Sequence, residues 1–114
     1  MSELQGIARF TFHEGTREEF KRLSAQIFEI VRAKDTGTLQ YEIYFNDDQS
    51  EAIVLERYRD SAALIEHATN LGDLGRAVLA TGLVSGELLG EPGAELRAQL
   101  ADSPVRVFAP FLSL

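Results

Sequence analysis

Cysteine is absent from this sequence of 114 residues. Without thiols the chain forms no disulfide, no thiolate metal site and no thiol nucleophile, and it suits a reducing compartment. Basic residues are also few, since 11 Lys and Arg oppose 18 Asp and Glu for a formal net charge of −7, and they form no cluster. The attraction that drives non-specific binding to nucleic acid is therefore missing, and we expect neither nucleic acid nor a membrane as a partner.

Long apolar runs and nucleotide-binding motifs are lacking as well. No stretch reaches the ~18 apolar residues of a membrane span, and residues 1–5 lack the features of a signal peptide. The glycines match neither the dinucleotide fingerprint nor a P-loop, and there is no G-x-S-x-G motif. The acidic loop 46–51 departs from a calcium loop at Glu51 and Arg57. We expect a cytoplasmic protein with no metal, haem, flavin or nucleotide cofactor.

The composition is that of a folded globular protein. Hydrophobic residues make up 45% of the chain and charged residues 25%, which are ordinary values for soluble domains. The length is about three-quarters of a typical domain of ~150 residues. We therefore predict a single domain that spans residues 1–114.

Hydrophobic periodicity divides the chain into short strands and helices. Residues 5–12 alternate with period two, as in a half-buried strand, whereas apolar residues recur at helical spacing behind the capping-box pattern of Thr16 and Glu19. Two β-rich runs flank the polar loop 46–50 and predict a hairpin. The predicted order is β, α, β, β, α, α, β, α, β, with bounds near 5–12, 16–33, 38–45, 51–58, 61–68, 74–82, 83–89, 92–104 and 105–108.

This order predicts an α+β fold. It contains the ferredoxin-like βαββαβ unit, an antiparallel sheet with helices on one face, followed by a C-terminal helix and strand. In the predicted hairpin Tyr41 and Ile43 lie on one face and Tyr44 on the other, so both faces are apolar. A second subunit stacked on the face without helices would cover it. We therefore predict a homodimer, a dimeric α+β barrel, with the apolar tail 105–114 at the same interface.

The hairpin and the helix after it resemble a known family. The residues that carry the resemblance are Gly37-Thr38-Leu39-Gln40-Tyr41-Glu42-Ile43-Tyr44, then Leu55-Glu56-Arg57-Tyr58-Arg59-Asp60-Ser61-Ala62-Ala63-Leu64, then His67. They are similar to the antibiotic biosynthesis monooxygenase family, whose pattern is a Gly-x-Leu-x-Tyr-Glu strand, a Glu-x-Trp-x-Asp/Ser strand end, and a helix with Ala-Leu and a His three residues later. The resemblance covers about Leu4 to Leu89, with Tyr58 where Trp is common and Gly72 where many members have a second His.

The resemblance implies a dimeric α+β barrel and, as in the quinol monooxygenases of the family, oxidation of a phenolic or quinol-like substrate by O₂ without metal or flavin. A haem-degrading branch with the same fold uses Asn, Trp and a haem-ligating His at positions that align with Ala8, His67 and Ala77. All three residues differ, and Ala77 cannot ligate iron. The resemblance therefore does not extend to haem degradation.

Two residues are candidates for proton transfer. A neutral imidazole can accept a phenolic proton, and a helical stripe with Leu64 and Leu71 turns His67 towards the sheet. The alternative for His67 is a hydrogen-bonded residue at the edge of the core. Glu56 lies near the end of a largely apolar strand, where either an apolar pocket raises the pKa of its carboxyl or a cation such as Arg9 pairs with it.

Six further residues are predicted to bind the substrate in a pocket between the helices and the sheet. Two of them are tyrosines, which hydrogen-bond a substrate oxygen or simply pack in the core. One is an asparagine, which contacts a ligand oxygen or caps a helix. The predicted substrate-binding residues are Phe10, Phe12, Tyr41, Tyr58, Leu64 and Asn70.

The sequence therefore predicts a cofactor-independent monooxygenase in which His67, aided by Glu56, removes a proton from a phenolic substrate that then reacts with O₂. The alternative is a non-catalytic dimeric module of the same fold that binds a ligand or serves in a stress response, because a fold does not fix a function.

Overall fold

Residues 3–114 are described by the computed structural model. The elements in chain order are β1 (Leu4–Phe12), α1 (Arg17–Lys34), β2 (Thr38–Phe45), β3 (Glu51–Tyr58), α2 (Ser61–Leu71), α3 (Asp73–Leu79), β4 (Gly82–Leu89), α4 (Ala94–Leu100) and β5 (Val105–Phe108). The predicted α+β class, with an additional C-terminal helix and strand, is confirmed. No helix in this part of the chain is long and apolar enough to cross a membrane.

The five strands form one sheet in the order β2-β3-β1-β4-β5. The first four strands are mutually antiparallel, and β5 runs parallel to β4 at the edge. In the centre of the sheet Ala8 lies opposite Val54 and Gly86, and Gly6 lies opposite Glu56 and Leu88. Because side chains alternate along a strand, these residues share one face, and that face carries the helices.

Two apolar clusters hold the helices on this face. The larger cluster joins α1 and α3 to the sheet through the buried residues Phe10, Phe20, Leu23, Ile27, Ala52, Val54 and Val78. The smaller cluster joins α4 to the sheet through Leu4, Leu88 and Leu96, and Leu64 of α2 packs against it. The C-terminal helix therefore has its own apolar core, next to the one formed by the earlier helices.

The helix ends confirm one predicted cap and contradict another. Asp60 is the N-cap of α2, and its carboxylate accepts a hydrogen bond from the backbone N–H of Ala63 at 2.9 Å. The capping box at Thr16 is wrong, because Thr16 already has a nearly helical backbone (φ −105°, ψ −4°) and makes no side-chain cap. Its hydroxyl instead donates to the carbonyl oxygens of His13 and Thr81, and so ties the loop after β1 to the start of β4.

The other face of the sheet, which we call the bare face, carries exposed apolar side chains. They are Tyr44, Ile53, Leu83 and Phe108, and Leu83 has 70% of its surface exposed. After β5, residues 109–114 form neither helix nor strand, and Phe111 is 92% exposed. At one end of this face tail residues within 109–113 line a groove together with Gln5, Arg57 and Leu89, whereas Tyr44, Ile53 and Leu83 stay exposed in the single chain.

Candidate active site

A cavity of about 340 Å³ lies between the sheet and helices α1, α2 and α3. Apolar side chains form most of its walls, and Phe10, Tyr41, Glu56 and His67 are among its lining residues. Gly72 has a positive φ of 50°, a conformation that suits glycine, and it lets α3 begin directly where α2 ends. The resulting bend brings α2 and α3 together over the sheet. Four of the eight predicted site residues therefore meet in one cavity.

His67 is held by a buried carboxylate. Its Nδ1 lies 2.7 Å from Oδ2 of Asp35, which directly follows α1, and the two side chains are only 6% and 1% exposed. Thr38 donates its hydroxyl to Oδ2 of Asp35 at 2.7 Å, and Asn70 donates its amide to Oδ1 at 2.8 Å. The carboxylate thus joins the end of α1, the start of β2 and helix α2.

The hydrogen bonds around Asp35 determine which ring nitrogen of His67 can accept a proton. Burial opposes ionisation of Asp35, but the hydrogen bonds from Asn70, Thr38 and His67 outweigh it and lower the pKa of the carboxyl below its usual value. An ionised carboxylate only accepts hydrogen bonds, so Nδ1 of His67 is the donor. In the neutral imidazole Nε2 then keeps its lone pair. This is the arrangement of a general base held in one tautomer by a carboxylate.

Glu56 is a second carboxyl near His67, and its pKa is shifted in the opposite direction to that of Asp35. Burial raises the pKa of the Glu56 carboxyl, although a hydrogen bond from the Tyr58 hydroxyl and the nearby His67 act against it. Burial, reinforced by the charge of Glu56, also raises the pKa values of Tyr41 and Tyr58. The centroid of the His67 ring lies 5.4 Å from that of Tyr41 and 5.3 Å from that of Tyr58. The site therefore combines one oriented base with a buried carboxyl whose pKa is raised and two buried tyrosine hydroxyls.

The predicted alternative of an ion pair between Glu56 and Arg9 is wrong. Arg9 lies on the bare face, where its guanidinium contacts Glu87 at 3.0 Å. Glu56 points to the helix face, because residue 56 is paired with residue 6 and residue 9 with residue 53. The thickness of the sheet separates the two side chains, so the carboxyl of Glu56 stays without a cationic partner among the described residues.

The remaining predicted residues lie around the cavity rather than in it. Tyr58 and Leu64 line a neighbouring cavity, and Asn70 contacts Asp35. Phe12 packs on Phe20, with ring centroids 4.8 Å apart, and does not line the cavity that contains His67. Their roles in substrate binding stay predictions.

Asp35 and Thr38 are the site residues that sequence reasoning missed. Asp35 lies 32 residues before His67, and nothing in local spacing pairs them. One signal was available. An acidic residue directly after the last turn of a helix lies at the negative end of the helix dipole, which is unfavourable unless hydrogen bonds from elsewhere in the chain compensate it.

In residues 3–114 no group of three or more His, Asp or Glu side chains is placed to hold a metal ion.

The fold and part of the sequence match known proteins. The model of the antibiotic biosynthesis monooxygenase family matches residues 6–75, more than half of the chain. MupZ from Pseudomonas fluorescens has a TM-score of 0.85 at 23% identity, over 98% of this chain and 88% of MupZ. Rv0793 from Mycobacterium tuberculosis has a TM-score of 0.69 at 27% identity, over 81% of this chain and 97% of its own.

A further protein of similar structure is an oxygenase. SnoaB from Streptomyces nogalater, a cofactor-independent oxygenase, has a TM-score of 0.68 at 18% identity, over 82% of this chain and 97% of SnoaB. No curated protein matches the sequence. The match of the family model agrees with the resemblance of the hairpin and helix α2, and the likeness to these structures agrees with the fold. The chain belongs to the antibiotic biosynthesis monooxygenase family.

Proposed function

We propose that the protein is a cofactor-independent monooxygenase that oxidises a phenolic or quinol-like aromatic with O₂. The observation that carries the proposal is the buried Asp35–His67 pair, which supplies an oriented base at the wall of an apolar cavity. Removing the proton from a phenol makes an electron-rich anion that reduces O₂ much more readily than the phenol does. A fold shared with SnoaB supports this chemistry.

The proposed reaction begins with transfer of the phenolic proton to Nε2 of His67. The imidazolium that forms is stabilised by the Asp35 carboxylate, 2.7 Å from Nδ1. The phenolate passes one electron to O₂, and the two radicals recombine to form a bond between a ring carbon and oxygen. The resulting peroxide takes the proton back from His67. The O–O bond then breaks as the hydrogen on that ring carbon leaves with the outer oxygen as water, so that one oxygen atom of O₂ stays in the product quinone. The protein contributes the base, worth roughly 10²–10⁴-fold, together with orientation and exclusion of water.

Glu56 has the complementary role in this proposal. Burial raises the pKa of the Glu56 carboxyl and so favours its protonated form, and in that form it donates a hydrogen bond to an oxygen atom that becomes negative during the reaction. The Tyr58 hydroxyl fixes one oxygen of Glu56, which leaves the other for the ligand. His67 and Glu56 both line the cavity, so one ring bound between them contacts the base and the donor together.

Oxygen consumption tests the proposed function. A panel of benzoquinols and naphthoquinols is incubated with and without the protein in an oxygen electrode, and product is formed under ¹⁸O₂. We expect protein-dependent consumption and one ¹⁸O atom in the quinone. Binding of the same compounds without oxygen consumption would contradict the proposal and support the non-catalytic module on this fold.

Glu56→Gln is expected to stabilise the protein at pH values above those at which the Glu56 carboxyl ionises, and not in acid. Because burial raises the pKa of Glu56, its contribution to stability is present below the unfolded value of about 4.3 and is lost as pH rises through the higher folded value. Gln keeps an acceptor for Tyr58 and never ionises. We expect equal melting temperatures at pH 4 and a melting temperature a few degrees higher for the variant at pH 8.

Glu19→Gln is the control for this prediction. Glu19 is exposed on α1, away from the bare face, and its carboxylate accepts hydrogen bonds from Arg22 at 2.9 and 2.6 Å. The hydrogen bond from Arg22 lowers the pKa of Glu19. Its substitution should give no gain at pH 8. Equal pH profiles for wild type and Glu56→Gln would show that Glu56 is not held in its protonated form.

We also propose that the bare face is the interface of a homodimer. Its exposed Tyr44, Ile53 and Leu83 form an apolar surface that a second copy of the sheet would cover. Beside it, a groove of about 630 Å³ lies between the tail and the sheet and is lined by Phe108 and Leu112, among others. A partner's surface in this groove would remove both exposed regions from water.

Sedimentation is expected to give about twice the 12.6 kDa chain mass at micromolar concentration. Leu83→Asp, which places a charge on the bare face, should shift the protein to a monomer. Gln26→Asp, an exposed position on α1, should leave the dimer intact. A wild-type monomer under these conditions would refute the proposed interface.

A further inference from the structure

A second cavity, of about 220 Å³, adjoins the first one on the helix face of the sheet. Its surface is predominantly apolar, and Leu64, Val84, Leu88, Leu100 and Val105 are among its lining residues. Glycines form part of its floor on the sheet. They are Gly6 and Gly86.

The floor of the cavity depends on close packing of β1 and β4. A Cβ on Gly86 would lie 2.6 Å from the carbonyl oxygen of Ile7, too close for any other residue without movement of the backbone. At Gly6 the nearest atom to an added Cβ is Cβ of Glu56 at 3.7 Å, an ordinary contact. The backbone therefore does not require glycine at position 6, and an added Cβ would make only ordinary contacts with the side chain of Glu56.

The walls of this cavity come mainly from outside the family model. The model ends at residue 75, whereas β4, α4 and β5 all follow it. Val84, Leu100 and Val105 come from these three elements. The segment that follows the family model thus supplies most of the walls of an apolar cavity directly beside the candidate active site.

The two cavities meet at the catalytic candidate Glu56. Ala8, Glu56 and Leu79 line both of them. Leu79, at the end of α3, is 51% exposed, so it lies at the surface where both cavities approach solvent. Ala8, Glu56 and Leu79 therefore form the boundary that a ligand occupying both cavities would cross.

We infer that the second cavity binds an unbranched aliphatic chain carried by the aromatic substrate. This inference rests on the proposed function, since it extends the substrate of the same site. A cavity of this size holds roughly seven water-sized groups of ~30 Å³ each. The substrate class is therefore a phenol or quinol with an alkyl or acyl side chain of about seven carbon atoms, and apolar burial of that chain supplies affinity without hydrogen bonds.

Chain-length dependence of binding tests the inference. Dissociation constants of phenol and of 4-propyl-, 4-pentyl-, 4-heptyl- and 4-decylphenol are measured by calorimetry without O₂, so that no turnover occurs. We expect affinity to rise about three- to fourfold per methylene up to about seven carbons and then to level off. Equal affinity along the series would overturn the inference.

Variants of the cavity walls show where the chain binds. Gly6→Val fills the cavity from the floor and should end the gain in affinity at a shorter chain, whereas Leu100→Ala enlarges it and should move the limit to a longer chain. Gln99→Ala, the exposed neighbour on α4, should leave the limit unchanged. If neither Gly6→Val nor Leu100→Ala moves the limit, the chain binds elsewhere and the inference fails; Leu100→Ala alone decides the question if Gly6→Val does not fold.

The binding series tests the second cavity and the oxygen assay tests the proposed function, so either claim can fail without the other. Oxidation of short quinols without a chain-length limit would refute the second cavity and leave the proposed function standing. A chain-length limit that moves in Leu100→Ala, without oxygen consumption by any ligand, would support the aliphatic compartment and refute the monooxygenase.

Discussion

His67→Gln is expected to lower turnover of a quinol by roughly 10²–10⁴-fold, the range for loss of a general base. Gln is close to His in size, and its amide can still donate to the Asp35 carboxylate that His67 contacts at 2.7 Å. It cannot accept a phenolic proton at neutral pH. The loss should therefore appear in kcat, with a smaller change in KM, because the apolar walls of the cavity remain.

His13→Gln is the control, since His13 is exposed in the loop between β1 and α1. Turnover and melting temperature are measured on the same preparation of each variant. If His67 is only a hydrogen-bonded residue at the edge of the core, His67→Gln should lower the melting temperature by several degrees and leave the rate per folded molecule unchanged. That result would remove His67 from the proposed mechanism.

Periodicity predicted the sheet well because period two assigns every side chain to a face. The alternation of β1 places Phe10 on the helix face, and pairing of β1 with β3 then places Val54 and Glu56 on the same face. The same rule shows why Arg9 cannot reach Glu56, since the two occupy opposite faces. That exclusion required the strand register, which pairwise spacing in the sequence does not provide.

Helix ends were predicted less well because they depend on tertiary contacts. The hydroxyl of Thr16 makes hydrogen bonds to the carbonyls of His13 and Thr81, and the second of these lies 65 residues away. Asp60, by contrast, caps α2 by accepting a hydrogen bond from the N–H of Ala63, only three residues later in the chain. A cap could therefore be predicted from the sequence where its hydrogen-bond partner is close in the chain.

The candidate site combines both situations. His67 was found through its helical stripe and the family resemblance, but Asp35 is brought to it only when α1, β2 and α2 pack together. Asn70, which was predicted to contact a ligand oxygen or to cap a helix, donates to Asp35, and its role in ligand binding stays a prediction. The orientation of the base, on which the proposed chemistry depends, is thus a tertiary property that no segment of the sequence contains by itself.

Asp35→Asn is expected to lower kcat by between about 10²- and 10⁴-fold, comparable with loss of the base itself. The amide of Asn has one acceptor oxygen, whereas the carboxylate accepts from His67, Thr38 and Asn70. The variant therefore cannot satisfy all three donors, and it removes the negative charge that stabilises the imidazolium. Kinetics measure the effect, and ¹⁵N NMR of His67 should show a larger share of the Nε2–H tautomer.

The same substitution has a distinct signature in acid. Because the pKa of Asp35 is lowered in the folded protein, its contribution to stability is present above the unfolded value of about 3.9 and is lost as pH falls through the lower folded value. The difference in melting temperature between wild type and Asp35→Asn should therefore be largest near pH 7 and should shrink below about pH 4.

Glu66→Gln distinguishes orientation of His67 by Asp35 from a general role in holding α2 to the segment before β2. Glu66 accepts hydrogen bonds from the backbone N–H and hydroxyl of Thr36 at 2.9 and 3.0 Å, so it too joins α2 to the segment before β2, but it does not contact His67. Its substitution should lower the melting temperature slightly and leave both kcat and the tautomer of His67 unchanged. Equal losses of kcat in Asp35→Asn and Glu66→Gln, with no change in the tautomer, would show that Asp35 only holds the segment in place and does not orient the base.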